Sequence, residues 1–365
     1  MTDRPPIAVS AVLCMDHEAF DRLGRVLRHL VVGLVDQTIH VRLVSADSRV
    51  KALSLGPVQA VLHKRLVWPT AGRRVERLLD DLAPRAPTLV HAITSASYRV
   101  GCAIAEAFDA DLVLQVTSLS DCDAMANVGA QRVGRVVALT APLKRILEEQ
   151  LKVPPDRVDL IRPGIMASKS ACCFSRSNSL PTILCPAPFT RGSGVDRLIE
   201  AAALLRKKGR EFMLFLLGTG MLEPALRRLI RERGLSSCIT LARPSGDLTG
   251  ALHSGDIFVE PSARPGFSDD ILQAMSAGLV IVTAPSAFGD CCSDDETAVV
   301  LKKNKADVLA DALRALLDDP PRAQRIAAAG VEHIRAHHAV NTMAEQTAEA
   351  YRTLALARAT FSLKE

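Results

Sequence analysis

Apolar residues along this chain alternate between two rhythms. Short, continuous aliphatic runs are followed by longer stretches in which apolar positions recur every three or four residues. The first pattern predicts strands buried on both faces and the second amphipathic helices. In the first half the strands fall over 7–14, 40–45, 58–62, 88–92, 112–116, 135–139 and 158–161, and the helices over 20–35, 74–82, 98–108 and 141–151. The helix over 20–35 sets Leu23, Val26, Leu27, Leu30 and Val31 on one stripe. Over 163–180 the rhythm lapses into Ser, Lys, Asn and an adjacent cysteine pair, which predicts a linker. Beyond it, strands are expected over 182–185, 212–217, 239–241, 257–259, 280–283 and 299–301. The matching helices are expected over 194–207, 222–233, 248–254, 270–277, 305–317, 321–336 and 339–355.

Strand–helix alternation with such apolar strands implies parallel sheets covered on both faces. The expected fold class is α/β, with two Rossmann-like parallel-sheet domains facing a cleft. The first domain covers 1–162, the linker 163–180 and the second domain 181–345, while a C-terminal helix and tail over 346–365 can pack back on the first domain. Ligands in such sheets bind beyond the carboxyl ends of the strands.

The length of 365 residues suits two domains, and the 48% hydrophobic content fills two cores. Aromatic residues are only 4%, so the cores are aliphatic and few rings remain for stacking on single-stranded nucleic acid. A net charge of +5 falls short of a nucleic-acid footprint, and no nucleic-acid partner is expected. One basic cluster gathers His63, Lys64, Arg65, Arg73, Arg74 and Arg77. It is either a solvated loop and helix face or a weak peripheral contact for anionic lipid head groups. The nine cysteines are odd in number and contain no C-x-x-C pair, which argues against a disulfide framework and a zinc site. Reduced thiols fit a cytoplasmic protein. No secretory h-region follows Met1, and no apolar run approaches the roughly 20 residues that span a bilayer. Two Asp-x-Asp strings, at 109–111 and 121–123, are too isolated to hold a hard cation, so neither metal nor cofactor is expected. Cys14-Met15-Asp16-His17 follows the first strand where a dinucleotide-binding dehydrogenase carries G-x-G-x-x-G, which argues against that class.

Four segments of the second half carry a resemblance. Residues 183–205 read ILCPAPFTRGSGVDRLIEAAALL, a strand, a loop and a helix opening at Gly-Val-Asp. Residues 215–222 read FLLGTGML, residues 251–262 read ALHSGDIFVEPS, and residues 266–278 read GFSDDILQAMSAG. Glu296-Thr297-Ala298 follows. In the first half, TLVHA at 88–92, RVVALT at 135–140 and VPPDRVDLIRPG at 153–164 match more loosely. In order and spacing these segments resemble the family-four retaining glycosyltransferases of the GT-B fold. The resemblance implies transfer of a hexose from a nucleoside-diphosphate sugar to an acceptor, a lipid or polysaccharide, with retention and without metal.

The departing nucleoside diphosphate gathers negative charge, so a site for this chemistry needs cations and oriented N–H donors. Here the sequence departs from the family. Where the resemblance implies an Arg and a Lys after the first strand of the second domain, this chain has Pro188 and Ser193, with Arg191 between them. Gly218 and Gly220 form the Gly-x-Gly turn. The two family glutamates around the donor loop become Pro265 and Gln273, and the amide of Gln273 can still bond a ribose hydroxyl. Gly266, Phe267, Ser268 and Asp269 lead into the helix expected to receive the diphosphate. The two aspartates there, Asp269 and Asp270, would each repel a phosphate by about 1 kcal/mol at 4 Å in water and about 4 kcal/mol at a protein surface. Asp290 keeps the charge of a family glutamate. On the acceptor side, Thr117 or Ser118 stands where the family has a His facing the sugar, and His91 ends an earlier strand. Two functions remain open on these residues: a transferase with a rewired donor site, or a catalytically impaired relative that serves as a binding or scaffolding module.

Overall fold

The computed structural model describes residues 8–64, 71–128, 133–167, 173–175, 179–243, 248–262, 267, 269–284 and 290–362. Among them the chain separates into two units, one of 1–164, 266–269 and 338–365, the other of 165–265 and 270–337. Each is built on its own parallel sheet.

The sheet of the first unit comprises β1 (Ser10–Met15), β2 (His40–Ser45), β3 (Gln59–Leu62), β4 (Leu89–Ala92), β5 (Asp111–Val116), β6 (Val133–Ala138) and β7 (Val158–Leu160). Their order is β3-β2-β1-β4-β5-β6-β7, so the winding reverses between β1 and β4. Helices α1 (His17–Asp36), α2 (Ala71–Leu82), α3 (Ser95–Ala107), α4 (Leu119–Ala126) and α5 (Ala141–Glu149) connect the strands. Four of them start on side-chain caps, which satisfy the first free N–H groups. Asp16 accepts from Ala19 N–H, Thr94 forms a reciprocal pair with Ser97, and Ser118 and Thr140 cap α4 and α5. The stripe predicted for α1 is buried as expected, with Leu34 added at its end. Helix α4 was not predicted, because its eight residues, LSDCDAMA, carry no clear apolar stripe.

The second sheet comprises β8 (Thr182–Pro186), β9 (Met213–Leu217), β10 (Ile239–Ala242), β11 (Ile257–Glu260), β12 (Val280–Thr283) and β13 (Val299–Val300). Its order is β10-β9-β8-β11-β12-β13, again with a reversal, between β8 and β11. Helices α6 (Val195–Lys207), α7 (Glu223–Glu232), α8 (Thr249–Leu252), α9 (Asp269–Ser276), α10 (Ala306–Asp318) and α11 (Pro320–His337) accompany it. Its core is aliphatic around Leu184, Leu198, Leu214, Val259, Val280 and Leu313.

The last helix, α12 (Val340–Ser362), runs past the expected end at 355 and belongs to the first unit. The first unit resumes at 338, where the sequence pattern carries the second domain on to 345. The reason is packing. Tyr351 is fully buried, and its hydroxyl lies 2.6 Å from Nδ1 of His91 in β4. His338 places Nδ1 2.8 Å from the Pro163 carbonyl, and Gly164 N–H donates to the sulfur of Met343. Gly33 lies so close to α12 that a Cβ built on it would stand 2.5 Å from the Cβ of Ala344. Gly33→Ala should therefore destabilise the protein by about 1–3 kcal/mol through overpacking, despite the helix propensity gained. Denaturant unfolding should show that loss, and Ala344→Gly in the same chain should recover most of it.

Candidate functional site

At the carboxyl edge of the second sheet, the connections after β8 and β9 lie back to back. Ala187 N–H donates to the Leu217 carbonyl at 3.1 Å, Phe189 N–H to the Thr219 carbonyl at 2.9 Å, and Leu222 N–H to the Phe189 carbonyl at 3.0 Å. This ladder brings backbone against backbone. A Cβ on Gly218 would stand 2.0 Å from the Ala187 carbonyl oxygen, and one on Gly220 2.3 Å from that of Phe189. The Gly-x-Gly turn is thus required by close approach, and the buried ring of Phe189 fills the space beneath it. Arg191 is exposed on the β8–α6 connection, while Ser193 is buried and its N–H donates to the Thr190 carbonyl at 3.3 Å. Gly194, at φ +79°, begins α6.

Beside Gly194 lies the exit of β11. The Pro261 carbonyl accepts from Nδ2 of Asn304 at 3.0 Å and from Nη2 of Arg197 at 3.4 Å, and Arg197 Nε donates to Oδ1 of Asn304 at 3.2 Å. Glu260 is buried and accepts from the hydroxyl and the N–H of Ser262. Gln273 is buried in α9, where its carbonyl accepts from the Ser276 hydroxyl. Asp290 is half-buried next to Cys291, whose thiol is pushed well above its ordinary range by Cys292, by burial and by that carboxylate. Arg197, Asn304 and Glu260 were missed in the sequence, since nothing in a loop's composition tells which polar side chain turns inward.

The carboxyl edge of the first sheet carries a second polar cluster. Asp121 is fully buried and accepts from Ser95 N–H at 2.9 Å, Thr117 N–H at 2.8 Å and the Thr117 hydroxyl at 2.6 Å. Arg22 in α1 donates to the Thr117 hydroxyl at 3.0 Å, pairs with Glu18 and lies 3.9 Å from Asp121. The Ser118 hydroxyl caps α4 and lies 2.8 Å from that of Ser120. Phe267 and Asp269 join this cluster, the first through its N–H to the Thr117 carbonyl at 2.8 Å, the second through its carboxylate, which accepts from Arg25 N–H at 3.1 Å. Asp121 entered the sequence reading only within the Asp-x-Asp string at 121–123; its place three residues after Ser118 is the signal that could have found it. Next to the cluster, over the ends of β1 and β2, opens a cavity of about 590 Å³ lined by Asp16, His17, Asp47, His63, Ser97 and Arg99 among others.

His91 stands apart from both clusters. It is 1% exposed, edge-on to Tyr351, and burial pushes its pKa down to about 3. In the basic cluster Lys64, Arg73 and Arg77 are exposed and Arg74 is half-buried. Gly266, Ser268, Pro265 and Arg65 lie outside the described residues. Among the described residues no three His, Cys, Asp or Glu side chains converge as a metal site, no disulfide forms, and no helix is long and apolar enough to cross a membrane.

These two sheets define the class. The fold is the GT-B fold, and residues 180–319 match the family model described as Glycosyl transferases group 1. Anabaena HepE, solved in complex with UDP-glucose, superposes with a TM-score of 0.79 over 94% of this chain and 99% of its own at 15% identity. The alpha-D-kanosaminyltransferase of Streptomyces kanamyceticus is 27% identical over 241 residues, 62% of each chain. A GDP-mannose-dependent monoacylated alpha-(1-6)-phosphatidylinositol monomannoside mannosyltransferase of Corynebacterium glutamicum is 27% identical over 203 residues, 53% of each. The matched region thus spans less than two thirds of these two relatives' own lengths.

Two stability predictions follow from the geometry. His91 is neutral in the folded chain down to about pH 3 but titrates near 6.5 when unfolded, so it lowers stability as pH falls through that window. The sign is that of a depressed folded pKa: the contribution is complete above about 6.5 and drains toward 3. His91→Gln should flatten acid unfolding between these limits, measured against the parent by denaturant titration at each pH. Asp121→Ala leaves buried N–H groups of Ser95 and Thr117 unmatched and should cost about 2–4 kcal/mol in the same assay.

Proposed function

We propose that the protein is a glycosyltransferase that moves a hexose from a nucleoside-diphosphate sugar to a hydroxyl of an acceptor, retaining the anomeric configuration and using no metal. The observation that carries this reading is a coincidence. The group 1 domain over 180–319 is the stretch whose two carboxyl-edge loops interlock through Gly218 and Gly220. On this reading the donor engages Arg191, Ser193, Gly218, Gly220, Gln273 and Asp290 of the second unit, together with Gly266, Phe267, Ser268 and Asp269. The chemistry asks for donors aimed at the oxygen that departs with the diphosphate. Asp269 spends its carboxylate on the Arg25 N–H, which lessens the repulsion its charge would present.

The acceptor side comprises Thr117 and Ser118, held by Asp121 and Arg22, with the neighbouring cavity as the place for a hydroxyl-rich molecule. Carboxylates, imidazoles and a guanidinium line it, which suits recognition of several hydroxyls at once. His91 enters only as a support of this side through Tyr351. A lipid-linked acceptor is favoured by the phosphatidylinositol mannoside substrate in the name of the Corynebacterium relative. With it goes weak peripheral contact through Lys64, Arg65, Arg73, Arg74 and Arg77, and a cytoplasmic location. An impaired, scaffold-only role draws no support from the similar proteins, which are named as transferases.

Thermal unfolding with UDP-, GDP- and ADP-linked hexoses tests the reading. A donor at a hundred times its Kd adds about 2.7 kcal/mol of stability by mass action. One nucleotide class should raise the midpoint by several degrees and be consumed when an acceptor is supplied. A flat response to all three would leave the proposal without a donor.

A further inference from the structure

The second unit holds a guanidinium that no acid among the described residues pairs with. Arg197 lies in the first turn of α6, and its two hydrogen-bond partners are the neutral oxygens of Asn304 and Pro261. Among the described residues no carboxylate stands within ion-pair distance of it. Many of the other arginines of this unit are spent differently: Arg206, Arg210, Arg227, Arg233, Arg314 and Arg322 all pair with aspartate or glutamate. The chain of Arg197 folds back over the opening of its own helix. Nη2 lies 2.8 Å from the point where a Cβ on Gly194 would stand, so only a glycine leaves it that space. Its charge is therefore delivered beside residues 193 and 194, at the carboxyl edge of the sheet, and not along the flank of α6.

Resting on the nucleotide-sugar reading above, we propose that Arg197 is the cation that meets the donor's diphosphate, and that it makes good the charge missing at Ser193. Asn304 acts as its positioning residue. The amide accepts from Arg197 Nε and donates to the Pro261 carbonyl, so one side chain fixes both the guanidinium plane and the exit of β11. Arg197 Nη2 already reaches the same carbonyl at 3.4 Å, a long contact that a phosphate oxygen can replace at little loss. Nη1 has no partner within hydrogen-bond distance among the described residues, and it is available to a second oxygen. A guanidinium held this way loses little rotamer freedom on binding, and its planar fork matches a phosphate edge.

The test uses the full chain and titration calorimetry with UDP, GDP and ADP, alongside uridine, guanosine and adenosine. Arg197→Gln should weaken whichever nucleoside diphosphate binds the parent by about 10- to 100-fold. It should leave the phosphate-free nucleoside unchanged and reduce the dependence of affinity on salt. Ser193→Lys placed in the Arg197→Gln chain should recover most of the diphosphate affinity, because the charge returns to the same place. Asn304→Ala should weaken the diphosphate by a smaller factor. An unchanged Kd for the diphosphate in Arg197→Gln, with the parent binding normally, overturns this inference alone. Equal losses for diphosphate and nucleoside overturn it too, by showing a role in loop structure only. A parent that binds none of the three nucleoside diphosphates overturns the transferase reading and this inference with it.

Discussion

Between residues 187–189 and the turn at 218–220 there is no room for a side chain, and the carboxyl edge of the second sheet takes its shape from that contact. Backbone N–H and carbonyl groups of one connection satisfy those of the other, which settles two irregular segments that would otherwise be solvated loops. The cost is borne by sequence: both glycines are obligatory, since any Cβ would stand within about 2.3 Å of a carbonyl oxygen. Once these two connections are locked, α6 begins at Gly194 and the Pro261 carbonyl lies over its first residue.

The first sheet reaches a comparable order by a different route. Its connections are held by side chains, chiefly the carboxylate of Asp121, which gathers donors from Thr117, just after β5, and from the start of α3. Asp16 does the same one strand away, accepting from Ala19 N–H and from the Thr94 hydroxyl. The Asp121 carboxylate serves the backbone in this way, which gives that member of the Asp-x-Asp string at 121–123 a structural role.

Much of this was legible in the sequence where physics is local. Continuous apolar runs placed the strands, and the stripe from Leu23 to Val31 placed α1 with its buried face. Gly218 and Gly220 could be picked out as a turn, although their reason, a carbonyl at 2.0 Å and another at 2.3 Å, is visible only in three dimensions. Helix α4 escaped because a cap and eight residues of mixed polarity leave no period to detect. The boundary near 338 escaped because the break between the helices expected over 321–336 and 339–355 does not tell which core the second of them joins; the contacts of Tyr351 and Ala344 decide that. The cations were the hardest to place. A sequence comparison by position finds Pro188 and Ser193 and infers a deficit, whereas Arg197, four residues along the helix, reaches back over Gly194.

The account rests on positive charge standing where a diphosphate departs, at the locked edge of the second sheet. A crystal structure of the chain with UDP or GDP bound tests this most directly. The account predicts diphosphate oxygens within hydrogen-bond distance of the Arg197 guanidinium, over the start of α6. Diphosphate density elsewhere on the molecule, with Arg197 still turned to Asn304 and Pro261 alone, would contradict it.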